Sequence, residues 1–530
     1  MAVSSVRRWW QDGVVYQVYV RSFGDSDGDG VGDLPGVRAR LPYLAGLGVD
    51  ALWLTPFYRS PMADHGYDVA DHTDVDPLFG TLAELDGLLA DAHRLGLKVL
   101  VDLVPNHTSS AHPWFTEALA EPTSPKRAFY IFRPPGPGGG PPNNWESVFG
   151  GPAWSLDEAS GDYYLHLFDA AQPDLDWRNP AVHEAWEQIL HFWLDRGVDG
   201  FRIDVAHGLY KDQSLRDNPP HGPIEPGAEL FHASWMPHAW DQPEVVEVFR
   251  RWREITDSYD DRVMVGEVFL DNLDKVARYV GRDCLHQSFN FVLVAAPFDA
   301  DHWKAVIRQA LQAFSIEGAS PTWVLSNHDV IRHPTRYGGG AVGQRRARAA
   351  TATLLALPGA PYVYQGEELG LEQSDVPEAQ RQDPMWLRSG GQLVGRDGSR
   401  TPIPWTTQEP NHGWTTGVPW LPFGAGAGGH SVEAQDPDPD SMLAFYRRAL
   451  ALRRELRPEL APEVCWLDAP GPVLAFRRVL ADGRSLRCVL NTGPVDVVVP
   501  EATGALVLTS GSTPPREGVV PAETALWLLG

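Results

Sequence analysis

Eight short apolar runs, each closed by turn residues and parted from the next by a helix-like or long connecting stretch, constrain this chain most. They lie at about 14–20, 50–55, 98–104, 200–205, 263–268, 286–291, 322–327 and 361–365. Short continuous apolar runs read as strands buried on both faces, and parallel sheets are the ones that helices cover on both sides. The intervening stretches carry helix boundaries. Thr81 followed by Glu84 forms a capping box, and Gly96 stops that helix. Asn179 with Pro180 opens another, which Gly197 closes. Eight such alternations predict a closed (β/α)8 barrel over a doubly wound sheet.

Three of the runs end in acids. Gly-Phe-Arg-Ile-Asp leads to Asp204, Val-Met-Val-Gly-Glu to Glu267, and Trp-Val-Leu-Ser-Asn-His-Asp to Asp329, while the run at 98–107 ends in Asn106-His107. Barrels of this kind keep their chemistry at the C-terminal strand ends. Any one of these acids alone is more often an ordinary strand-end group; together they define one acidic site. Two carboxylic acids flanking a bond are the minimal equipment for glycoside hydrolysis, one protonating the leaving oxygen while the other attacks or activates water. Arg202, two residues before Asp204 on the same strand face, is expected to hold the Asp204 pKa down. Glu267 follows an apolar strand and Gly266, where desolvation raises a carboxyl toward a useful acid.

The 44 basic and 69 acidic residues give a net charge of −25. That charge repels nucleic acid and anionic membrane and suits a neutral small-molecule ligand. Cys284, Cys465 and Cys488 are too few for a disulfide framework and are expected to be reduced core thiols. The start of the chain has no apolar signal core and no run reaches membrane-span length, so a cytoplasmic protein, monomeric by default, is expected. Residues 108–178, with the Pro/Gly-rich stretch 133–142, are expected to form an inserted domain, with the barrel over 1–107 and 179–455. Residues 370–440 form a second long connection after the eighth strand. A last amphipathic helix (441–455) precedes short alternating runs over 462–530, which predict a C-terminal antiparallel β domain over 456–530.

These motifs resemble the α-amylase family of retaining α-glycosidases (glycoside hydrolase family 13), in its oligo-1,6-glucosidase and α-glucosidase branch. The resemblance runs from Trp-Trp-Gln-Asp-Gly-Val-Val-Tyr (9–16) through the C-terminal segment. Asp-Leu-Val-Pro-Asn-His (102–107), Gly-Phe-Arg-Ile-Asp-Val-Ala-His (200–207), Val-Gly-Glu-Val (265–268) and Ser-Asn-His-Asp (326–329) are similar to its four conserved regions. It implies Asp204 as nucleophile with Arg202 as partner, Glu267 as acid/base and Asp329 as the carboxylate that grips the sugar. It further implies that Asp64 and Tyr67 clamp the terminal glucose, that His107 and His328 bind its hydroxyls, and that Phe168 and Gln172 line the next sugar site. Arg400, in Ser-Arg-Thr-Pro-Ile-Pro-Trp, resembles an arginine that pairs with Asp64, although the branch usually has Met-Gln where Ile403-Pro404 stand. Gln-Pro-Asp-Leu-Asp-Trp (172–177) is similar to a further branch motif in which Asn is commoner at position 176.

The Asp25–Asp33 loop alternates acids as a calcium loop does, yet Gly36 stands where an EF-hand needs Glu. The resemblance implies one structural Ca²⁺ on Asp25, Asp27, Asp29, Asp33 and the Val31 carbonyl; the alternative is an Asp/Gly turn in which Asp33 caps a helix. No organic cofactor is expected. A clamp on the terminal glucose implies exo-acting hydrolysis of short α-glucosides, broad or α-1,4-preferring. Val205 after the nucleophile accompanies α-1,6 activity in the family, so oligo-1,6-glucosidase is one alternative. Glucosyl transfer, or action on trehalose or sucrose, is another. A non-catalytic transporter heavy chain is disfavoured, because all three carboxylates are kept and no membrane span is visible.

Overall fold

A computed structural model describes residues 8–222, 231–512 and 514–530; residues 1–7 of the stretch assigned to the barrel lie outside it. Eight parallel strands form one sheet: β1 Val15–Val18, β2 Ala51–Leu54, β3 Lys98–Leu103, β4 Gly200–Ile203, β5 Val263–Gly266, β6 Gln287–Ser288, β7 Thr322–Val324 and β8 Ala360–Tyr364. Their order is β6-β5-β4-β3-β2-β1-β8-β7, a nearly closed barrel. At the β6/β7 joint, the Thr322 hydroxyl donates to the Ser288 carbonyl at 2.8 Å. All eight predicted strands are present. The run at 286–291 yields only two strand residues, because Asn290 already caps a short helix, Phe291–Ala295, by accepting from the Leu293 N–H.

Inside the barrel, Val15, Trp53, Leu100, Val265, Phe289 and Tyr362 interlock as one apolar layer. A larger core fills the space between strands and helices. The covering helices include α1 Leu82–Arg94, α2 Pro180–Arg196, α3 Val245–Asp257, α4 Ala300–Ile316, α5 Gly340–Ala356 and α6 Met442–Leu456. Thr81 caps α1 by accepting from Glu84 N–H, Asn179 caps α2, and Gly197 ends α2 in the left-handed region at φ +100°. Each cap is worth about 1 kcal/mol.

Between β3 and α2, three short antiparallel strands (Phe132–Arg133, Trp154–Leu156 and Tyr163–Leu165) make a small sheet. After α6 comes a five-stranded antiparallel sheet of β9 Cys465–Trp466, β10 Val473–Val479, β11 Ser485–Asn491, β12 Ala505–Thr509 and β13 Thr524–Leu529. It docks on α5, where the Trp527 indole donates to the Ala352 carbonyl at 2.9 Å. All three cysteines are free thiols. Cys284 and Cys488 are buried as expected, but Cys465 is exposed, because β9 is the edge strand. Among the described residues no helix is long and apolar enough to cross a membrane.

Candidate active site

The register of the parallel strands sets the first contacts. Asp102 on β3 and Val265 on β5 both pair with Arg202 on β4, so Asp102 and Arg202 stand side by side at one end of the barrel. Arg202 is fully buried. Its Nη1 donates to Asp102 Oδ1 at 2.8 Å and to Asp204 Oδ1 at 2.6 Å, while Nη2 donates to Glu267 Oε1. One guanidinium therefore joins three carboxylates, a task that suits its rigid multi-donor fork. The chain turns sharply after Asp204. Val205 has φ +45°, a left-handed conformation that is unusual for a β-branched residue. That turn aims the Val205 N–H at Glu267 Oε2, 3.1 Å away.

Burial pushes the Asp102 and Asp204 carboxyls up to about 7, with Arg202 pulling each down. The expected effect of Arg202 on Asp204 is thus present but outweighed: a carboxylate only 5 % exposed loses more solvation than one shared cation returns. Glu267 rises well above the ordinary glutamate value, through burial first and then through its acidic neighbours Asp204 and Asp329. Asp329 goes the other way. Burial opposes its ionisation, yet the charges of Arg396 and Arg400 hold it well below the usual carboxylate range.

Around these carboxylates runs a hydrogen-bonded network. The Tyr67 hydroxyl donates to Asp102 Oδ2 at 3.0 Å and lies 2.7 Å from His328 Nε2, with the two rings stacked at 5.4 Å. Gln17 on β1 holds the other His328 nitrogen at 2.7 Å. His107 meets the Tyr67 carbonyl at 3.1 Å and the Gln172 amide at 3.0 Å, and Gln172 reaches Asp64 Oδ2 at 3.3 Å. Half-buried Phe168 packs 5.2 Å from the His107 ring and 5.6 Å from Phe149. Burial lowers His107 to about 4 and holds His328 well below the ordinary imidazole value, so both imidazoles are neutral at pH 7 and can donate to or accept from hydroxyls.

Arg400 departs from expectation. It does not pair with Asp64: its Nη2 donates to Asp329 Oδ1 at 2.8 Å and its Nε to the His328 carbonyl at 2.9 Å. Arg396 is the partner of Asp64, with Nη2 at 2.8 Å from Asp64 Oδ1 and Nη1 at 3.1 Å from Asp329 Oδ1. A 3₁₀ turn over Asp397–Ser399 separates the two arginines and sends Arg400 into the barrel wall behind Asp329. Burial raises Asp64 to about 6 against the pull of both arginines. Asp102, Gln17 and Arg396 are the groups that sequence reasoning missed. For Asp102 a signal existed, a lone acid inside an apolar strand.

The Asp25–Asp33 loop lies apart from these residues. One oxygen each from Asp25, Asp27 and Asp29 lie within 4.8 Å of one another, a spacing that one cation could bridge. Asp33 is outside that group. Its Oδ1 accepts from Gly36 N–H at 2.6 Å, capping the helix Leu34–Ala39, and its Oδ2 accepts from Ser26 N–H at 2.9 Å. The donor set therefore fits a hard, oxygen-seeking ion at three carboxylates, while Asp33 serves the alternative role as a helix cap.

The family description "Alpha amylase, catalytic domain" matches residues 17–460. A probable alpha-glucosidase of Rhizobium meliloti (strain 1021) is 41% identical over 483 residues, covering 89% of this chain and 87% of that protein. An oligo-1,6-glucosidase of Parageobacillus thermoglucosidasius is 37% identical over 483 residues, covering 85% and 84%. Among solved structures, an alpha-glucosyl transfer enzyme superposes with a TM-score of 0.89 at 39% identity, covering 99% of this chain and 100% of that one.

Proposed function

The chain belongs to the α-amylase family (glycoside hydrolase family 13), and on that premise we propose that it is a retaining, exo-acting α-glucosidase of short α-glucosides, broad or α-1,4-preferring. One observation carries the reading: a single buried guanidinium joins Asp204 and Glu267, while Asp329 is held ionised apart from it by two further arginines. Glu267, whose carboxyl burial raises well above the ordinary glutamate value, would hold a proton and donate it to the glycosidic oxygen as that bond breaks. Asp204, held by Arg202, would attack the anomeric carbon and form a covalent β-glucosyl ester. Glu267, now ionised, takes a proton from water, and the resulting hydroxide attacks the same carbon and frees Asp204. Retention requires the two carboxyl groups to stand ~5–5.5 Å apart, and attachment to neighbouring nitrogens of one guanidinium suits that spacing.

Asp64, clamped by Arg396, walls the pocket beyond the sugar that Tyr67, His107 and His328 would surround, which favours a chain end over a chain middle. Gln172 and Phe168 would border the next sugar. The stretch 108–178 would act as an inserted domain over the pocket and 456–530 as a C-terminal domain. Free thiols suit a reducing cytoplasmic compartment, and the enzyme would act as a monomer. One structural Ca²⁺ on Asp25, Asp27 and Asp29, with the Val31 carbonyl, would brace the loop after β1. The likeness to a glucosyl transfer enzyme favours a second reading, in which a sugar or alcohol replaces water in the last step.

The test is activity on an aryl α-glucoside, with product followed by NMR. Asp204→Asn and Glu267→Gln should each lose at least about 10³-fold in kcat, and α-glucose should appear first. Near-normal hydrolysis by either variant, or β-glucose as first product, would overturn the assignment. Initial rates on maltose, isomaltose, sucrose, trehalose and maltotriose, scored for free glucose and for transfer products, separate the two readings.

A further inference from the structure

Among the described residues three carboxylates hold Arg396, and two of them, Asp64 and Asp329, belong to the site already described. The third is Asp383, fully buried and untouched by the mechanism above. Asp383 Oδ2 accepts from Arg396 Nε at 2.7 Å and from the Arg396 backbone N–H at 2.8 Å, and Oδ1 lies 3.4 Å from Nη2. This bidentate edge fixes the plane of the guanidinium. It leaves the outer edge for Asp329, at 3.1 Å from Nη1, and Asp64, at 2.8 Å from Nη2. The preceding turn is built around the same carboxylate. Gly395 has φ +78°, and a Cβ there would sit 2.8 Å from the Asp383 Cβ.

Arg396 needs such an anchor. It enters the pocket from a loop whose Leu393 and Val394 are exposed, on a long side chain that loses much rotamer freedom when held in one place. Asp383 has a further duty. Its Oδ1 accepts from Met385 N–H at 2.8 Å and caps the short helix Pro384–Arg388, and Arg388 from that helix pairs with Asp169 at 3.1 Å.

We propose that Asp383 is a positioning residue for substrate, presenting the Arg396 fork to Asp64 and Asp329 and so setting the grip on the terminal glucose. The role rests on the glucosidase reading above. It predicts a uniform loss of binding, which raises KM and leaves kcat nearly alone. Asp383→Asn is the suitable variant, because asparagine keeps the volume and still caps the helix. KM and kcat on 4-nitrophenyl α-glucoside, and glucose binding by calorimetry, are measured for wild type, Asp383→Asn, Asp64→Asn and the double variant.

Asp383→Asn should raise both KM and the glucose Kd about tenfold with kcat within about threefold, and the double variant should lose less than the two single losses combined, because one arm of the Arg396 fork is shared. Should Asp383→Asn not fold, Gly395→Ala replaces it: the added Cβ displaces the Asp383 carboxylate with every charge kept, and KM should rise likewise. Unchanged KM and Kd in these variants, or fully additive losses in the double, overturn the positioning role. If wild type turns over no α-glucoside yet binds glucose, the functional reading falls and the Kd series still decides the role of Asp383. Glucose failing to bind wild type overturns both.

Discussion

Arg202→Gln tests the electrostatic argument most directly, because among the described residues no other cation pairs with Asp102, Asp204 or Glu267. A unit charge pair at about 4 Å is worth about 4 kcal/mol at an effective dielectric of 20, equivalent to about three pKa units. Arg202 divides its charge among three partners, so the share of Asp204 is about one unit at the least. With the Asp204 carboxyl at about 7, roughly half of it is ionised at neutral pH in the wild type. A rise of one unit leaves about a tenth ionised at pH 7, and a rise of two leaves about a hundredth. The transition state also loses a buried donor aimed at its nucleophile, typically 10²- to 10³-fold by itself. The expected outcome is therefore a fall of at least about 5 × 10²-fold in kcat/KM at pH 7. The assay is the pH profile of kcat/KM between pH 4 and 9 on an aryl α-glucoside. The acid limb should move up by one unit or more. A variant that loses activity while its acid limb stays in place would refute the reasoning, because Arg202 would then shape the site without setting its protonation.

Glu267→Gln should raise the melting temperature, and more at pH 8 than at pH 5. The folded-state pKa of Glu267 is raised, so its ionisation costs stability as pH climbs above the ordinary glutamate value, a cost that glutamine removes; an equal shift at both pH values would contradict this. Chelation of the native enzyme should lower its melting temperature, and Asp27→Ala should abolish that response without changing kcat; a chelator without effect would remove the proposed ion. Arg400→Lys should cost about 10²-fold in kcat, because a lysine cannot reproduce the fork that reaches the His328 carbonyl and Asp329 together; a change confined to KM would count against that role.

Much of the frame was legible because its signals are local. Apolar runs of four to six residues, Thr81 and Asn179 as caps and Gly197 as a stop depend on neighbours a few positions away. The strand-end acids were legible for the same reason, since their position follows from the run before them. The clamp was not. Arg396 and Arg400 stand four apart in a stretch with no period to tell inward from outward. Which one meets Asp64 depends on the Gly395 turn and on Asp383, thirteen residues earlier. Asp102 went unassigned because its role exists only through the β3/β4 register, a contact across 100 positions. The Asp204 carboxyl was misjudged because an adjacent arginine is visible in sequence and the extent of burial is not.

The β6/β7 joint divides the stiffness of the site. β4 and β5, which present Asp204 and Glu267, are laddered to neighbours on both sides. Among the described residues β7, which leads to Asp329, is laddered to β8 alone and meets β6 through the Thr322 hydroxyl. Fewer backbone bonds mean a lower free energy of local opening. The two groups that make and break bonds thus stand on the firm part of the ring, and the group that grips the sugar stands beside its one loose link. Amide exchange should be fastest along β7, and glucose in the pocket should slow it there first.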